Sequence, residues 1–155
     1  MTITCIVEKM ETARPAIEEL MPAQWAETGD PEFQFRPNWL LYAQMEKLGS
    51  MILIVMRCDG VPIGYIGAAI HPHVNATHIM VASIPTWYVE PSAWRGVRER
   101  SLIRAMHAAL RERGIRRATV DTAFGHSAGR LLEAMGGKPV KIGYSFDLMK
   151  EKVDA

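Results

Sequence analysis

Trp87-Tyr88-Val89-Glu90-Pro91-Ser92-Ala93-Trp94-Arg95-Gly96-Val97-Arg98-Glu99-Arg100-Ser101 is the stretch on which the fold turns. An apolar run ends at Val89, a turn follows through residues 90–94, and a basic helix opens at once. Over residues 95–113 that helix places Leu102, Ile103, Met106, Ala109 and Leu110 on one stripe, the spacing of an amphipathic helix, and Gly114 closes it. A helix N-terminus presents unpaired N–H groups and a partial positive charge, so a strand–turn–helix of this kind favours phosphate. Gly96 lets backbone approach a ligand closely, and Arg95, Arg98 and Arg100 surround the turn with guanidinium groups suited to phosphate oxygens.

Working outward, Ile3–Val7 is a short β-like run. A helix opening at Thr12 or Pro15 carries Ile17, Leu20, Met21 and Trp25 at spacings of three and four, and Gly29-Asp30-Pro31 stops it. Arg36-Pro37-Asn38 opens a second helix with an apolar face of Trp39, Leu40, Tyr42, Met45 and Leu48, ended by Gly49. Two apolar runs, 51–58 and 61–70, meet at Asp59-Gly60, the strongest short signal for a hairpin. Residues 71–77 read as a polar loop and 78–89 as a strand, with Pro85 demanding a bulge or an unpaired edge. Beyond the basic helix come a strand at 118–122, a short helix at 127–135 closed by Gly136-Gly137, and a last strand at 140–148 that Gly143 divides in two if it breaks there. The expected order is β-α-α-β-β-β-α-β-α-β, an α/β fold whose mixed sheet has helices on both faces.

The chain has 155 residues, 48% apolar and 23% charged, which suits one globular domain over 1–150 with a polar tail at 151–155. The net charge is only +1, yet residues 95–117 hold eight arginines against two glutamates. These arginines read as winding around their helix rather than forming one stripe, and no aromatic residues interleave with them, which weighs against nucleic acid. Cys5 and Cys58 lie in apolar runs and read as buried thiols of a reducing compartment. Glu8, Lys9 and Glu11 stand where a signal peptide needs an apolar core, and no apolar run is long enough for a bilayer, so a cytoplasmic location without membrane contact is expected.

The run from Tyr88 to Gly96, with one residue more between Pro91 and Arg95, resembles the pyrophosphate-binding motif of the GCN5-related N-acetyltransferase (GNAT) superfamily, Y-V-x-P-x-x-R-G-x-G-x-G/A. Ala128, Leu131, Glu133 and Gly136 match a later segment of the same family, N-x-x-A-x-x-L-Y-E-x-x-G-F. The front part, with Gln24-Trp25, the helix after Asn38, and Gly64-Tyr65, looks like the subgroup common in tailed-phage genomes. The resemblance covers about residues 20–149. It implies a GNAT-like sheet of about six to seven strands, acetyl-CoA as co-substrate, and direct attack of an amine on its thioester. It assigns the cofactor to Trp87, Tyr88, Val89, Arg95, Gly96, Val97, Arg98, Glu99, Arg100 and Ser101. The backbone at 86–89, after Pro85, takes the part of the splayed strand that receives pantetheine and thioester. The chain departs from the family pattern in carrying Arg98 and Arg100 for glycines, Leu132 for a tyrosine acid, Gly137 for a phenylalanine, and Ser83 near a usual carboxylate.

Such a transfer needs a proton acceptor, and histidine is the side chain nearest to neutrality. His78, His126 and Glu90 are the candidates, each of which serves equally well as a loop, capping or turn residue. His71 and His73 have a ligand-like spacing but no third partner, so no metal is expected. The departures favour a second reading, a GNAT-fold binding module without catalysis. The acceptor is a small-molecule or protein amine, and a homodimer through the last strand's edge fits the pattern.

Overall fold

The computed structural model describes residues 1–91, 95–122, 128–141 and 143–145, with backbone alone at 95 and 96. The elements are β1 (Ile3–Val7), α1 (Met10–Thr28), α2 (Trp39–Lys47), β2 (Met51–Cys58), β3 (Val61–His73), β4 (Ala76–Val89), α3 (Arg95–Glu112), β5 (Arg117–Val120) and α4 (Ala128–Ala134). One sheet runs β1-β2-β3-β4-β5, antiparallel except for the parallel β4–β5 pair.

Side chains alternate across a strand, and here the alternation sorts two cores. Ile52, Ile54, Met56, Ile66 and Ile84 pack on Leu102, Ile103, Met106 and Leu110 of α3. On the other face Leu53, Val55, Tyr65 and Tyr88 pack on Ala13, Ile17, Leu20 and Met21 of α1. Because both faces are covered, β2 is apolar almost throughout. The hairpin turn is where Asp59-Gly60 places it: φ is +47° at Asp59 and +86° at Gly60, the left-handed pair of a two-residue turn. Asn38 caps α2 by accepting from Leu41 N–H at 3.0 Å. Lys9 has no capping side chain at the start of α1, and Met10 N–H instead donates to Glu46 Oε1 of α2. That tertiary partner holds the first turn, so the helix begins ahead of Thr12, and Pro15 and Pro22 lie inside it.

Two expectations are corrected. Residues 71–77 are not a loop, since β3 runs to His73 and β4 begins at Ala76, with His71 facing Val81 and Pro72 facing Met80. Their polarity reflects strand ends that project past both cores into solvent. The sheet has five strands among the described residues, not six or seven, and the element order ends at α4. Val140, Lys141 and residues 143–145 form no strand, and Val140 and Tyr144 are exposed. Alternation alone does not make a strand without a ladder partner and a packed face. The dimer edge expected from this segment therefore has no strand behind it in its described part.

Between β1 and β2, Arg57 Nε and Nη2 donate to Glu8 Oε1 and Oε2, both at 3.0 Å. The Glu8 side chain is 10% exposed and that of Arg57 23%. Arg57→Ala should cost about 2 kcal/mol, because it leaves a buried carboxylate without its fork of donors. The midpoint of urea unfolding measures this.

Candidate active site

Pro85 makes the site. Gly67 faces Thr86 and Ala69 faces Ser83, so Ala68 alone stands opposite both Ile84 and Pro85, a bulge of one extra residue on β4. Up to Ile84, β4 also pairs with β5, and Asp121 N–H still donates to Ile84 C=O at 3.1 Å. Beyond the bulge β4 stays on β3 while β5 ends, so the two parallel strands splay apart.

The backbone groups that face this splay follow from the ladder. Glu90 N–H donates to Ile63 C=O at 2.9 Å, which makes 63/90 a hydrogen-bonded pair. Alternation then gives 65/88 and 67/86 the same character, and turns the N–H and C=O of Trp87 and Val89 away from β3 toward the splay. A cleft of about 630 Å³ opens there, between β4, the residues after β5, the C-terminal half of α1 and the segment leading to α2.

Thr86, Trp87, Tyr88, Val89 and Glu99 line this cleft. So do Gln24, Trp25, Phe35 and Tyr42 on the α1–α2 side, and Asp121 and Thr122 after β5. Trp25 and Phe35 are tilted with ring centroids 5.9 Å apart. Behind the wall the Tyr65 hydroxyl donates to Gln24 Oε1 at 3.3 Å, and burial pushes its pKa up to about 12. The Thr86 hydroxyl is near enough to offset part of that rise, but the geometry stops short of a hydrogen bond. Thr86 Oγ1 is thus buried without a partner. Burial also raises Tyr42.

The residues expected from sequence are only partly brought together. Val97 and Ser101 are exposed on α3, and Ser101 Oγ donates to its own helix at Val97 C=O. Arg98 is 9% exposed and turns under the sheet, its Nη2 3.5 Å from Met1 Sδ. Its side chain therefore lies outside the cleft, whatever its backbone N–H does. Arg100 is exposed and faces a different hollow. His78 is exposed near the turn end of β4, and neither it nor Glu90 lines the cleft. His126 lies outside the described residues, as does the side chain of Arg95, and Gly96 is described by its helical backbone alone. His71 Nε2 and Ser83 Oγ are hydrogen-bonded at 3.1 Å, away from the cleft. Leu132 packs against the core below α3.

Asp121 was missed in sequence, although its position directly after a parallel strand is where α/β sheets place ligands. No local pattern places Gln24 and Tyr42 at the cleft, since reaching it depends on how α1 and α2 lie across the sheet.

The sequence model of the acetyltransferase (GNAT) family matches residues 14–136. The chain belongs to the GNAT acetyltransferase family. No curated protein matches it. Among solved structures, the fold is shared with the aminoglycoside N-acetyltransferase AAC(6')-Iy in complex with the bisubstrate analogue CoA-S-monomethyl-acetylneamine, at TM-score 0.73, 21% identity, and 95% and 98% of the two chains covered. It is shared with the aminoglycoside acetyltransferase meta-AAC0020 from an uncultured soil metagenomic sample, at TM-score 0.72, 13% identity and 95% of each chain. A ribosomal-protein-alanine N-acetyltransferase from Brucella melitensis biovar Abortus 2308 has TM-score 0.71, 15% identity, and 95% and 100% coverage. At these identities the likeness is one of fold. This chain builds its β4–β5 splay with its own Pro85.

Proposed function

We infer that the protein transfers an acetyl group from acetyl-CoA to the amine of a small molecule. The observation that carries this reading is the splay after Pro85, where unclaimed backbone groups of Trp87 and Val89 face one cleft. Those groups suit an amide-bearing pantetheine arm, and the first turn of α3 beside them suits its pyrophosphate. Bound acetyl-CoA supplies a thioester open to attack by an amine. Backbone N–H groups of β4 hold the carbonyl oxygen and stabilise charge as it grows there. Gln24, Trp25, Phe35 and Tyr42 form the wall that orients the amine, the aromatic faces also favouring a cation. Asp121, which lines the cleft, takes the amine's proton; of the candidates proposed from sequence, His78 and Glu90 do not line it and His126 lies outside the described residues. Leu132 offers no proton to the departing sulfur, which draws on water instead. The aminoglycoside acetyltransferases of similar fold favour a small-molecule acceptor over a protein one.

Calorimetric titration with acetyl-CoA and with CoA tests this. Micromolar binding is expected, weakened at least about tenfold, or about 1.4 kcal/mol, by Arg95→Ala. Arg98→Ala should change affinity far less, because that guanidinium lies against Met1. No binding at millimolar acetyl-CoA overturns the reading. Binding without CoA release across a panel of aminoglycosides, polyamines and peptides would favour the non-catalytic module.

A further inference from the structure

The arginines of α3 do not simply wind around the helix. Arg100, Arg104, His107 and Arg111 recur at intervals of four, three and four, on a flank that adjoins the buried stripe of Leu102, Ile103, Met106 and Leu110. They line one hollow of about 520 Å³, whose other wall is Ala134 and Met135 at the end of α4. No carboxylate lines it among the described residues. Among the described residues the ion pairs are Arg14–Glu18 and Arg57–Glu8, and none of these three guanidiniums has a partner. In a chain of net charge +1, three unpaired arginines around a concavity repel one another, and an anion relieves that repulsion.

The hollow shares no lining residue with the cleft. From Arg100 to Arg111 it extends along about 16 Å of helix. That span admits several phosphoryl groups, each matched to a guanidinium fork. Met135 is half-buried and with Ala134 gives an apolar floor for the body of a ligand. A concave site whose only ring among the described lining residues is the half-buried imidazole of His107 suits a small molecule better than a nucleic-acid strand, which needs stacking platforms or a continuous ridge.

We propose that the hollow between α3 and α4 binds a small ligand carrying an oligophosphate group, separately from the acetyl donor. This does not depend on the acetyltransferase reading. Inorganic tripolyphosphate is the probe, titrated by calorimetry at low salt into the wild type, Arg104→Ala/Arg111→Ala, and a control, Arg116→Ala/Arg117→Ala, whose arginines are exposed and line neither site. The expected result is wild-type binding that falls at least tenfold in the first variant, holds in the control, and persists in millimolar CoA. Absence of wild-type binding, equal loss in both variants, or retention in the first overturns the proposal. Displacement by CoA also overturns it, assigning the hollow to the cofactor's own phosphates. Unchanged circular dichroism and urea midpoints, expected for exposed arginines, keep a loss of binding from being a loss of fold.

Discussion

Deleting Pro85 should leave a folded protein that no longer binds acetyl-CoA, with affinity lower by at least about 100-fold, or about 2.8 kcal/mol. The reason lies in the count of residues. Ala68 faces both Ile84 and Pro85, and removing one restores a one-to-one ladder between β3 and β4. Residues 86–89 keep their partners on β3, because slipping by one would turn Tyr88 out of its core and Trp87 into it. Without the bulge β4 runs straight, and β5, which already follows it to Ile84, can continue alongside. The backbone groups of Trp87 and Val89 then meet a strand where the cleft had been. A urea midpoint at or above that of the wild type, together with flat calorimetric titrations, is the expected pair of results. Retained affinity would mean that the splay does not make the site.

Gly64→Ala should cost about 3 kcal/mol of stability. A Cβ at this position would stand 2.6 Å from Tyr88 C=O and 3.2 Å from Val89 Cα, and backbone cannot rotate aside as a flexible side chain can. Gly64 faces Val89 in the ladder, so the strain falls on the segment that carries the cleft. Relief comes only by lifting β4 from β3 past the bulge, which moves the N–H groups of Trp87 and Val89. The variant should therefore lose both urea resistance and acetyl-CoA affinity. A loss of stability with unaltered affinity would separate the packing of Gly64 from the site.

Much of this was legible because it was local. Pro85 has no N–H to give a ladder, and that forces an irregularity in any strand that contains it. Asp59-Gly60 has the left-handed freedom a two-residue turn requires. The stripe of α3 is a matter of period. By contrast, residues 71–77 looked like a loop because polarity was taken for irregularity, whereas two strand ends beyond the core are polar too. Residues 140–141 and 143–145 looked like part of a strand because an apolar pattern was taken for pairing.

The sequence by itself determined the strand and the helix on either side of residues 90–94, the hairpin, an irregularity at Pro85 and helices on both faces of the sheet, since each rests on backbone chemistry or period within a few residues. Only the tertiary structure decided which side chains meet. It set Gln24, Tyr42 and Asp121 around β4, sent Arg98 under the sheet to Met1, and closed three arginines of α3 against Met135. Those meetings join elements tens of residues apart, and packing of whole faces, which no local pattern records, fixes where each side chain ends.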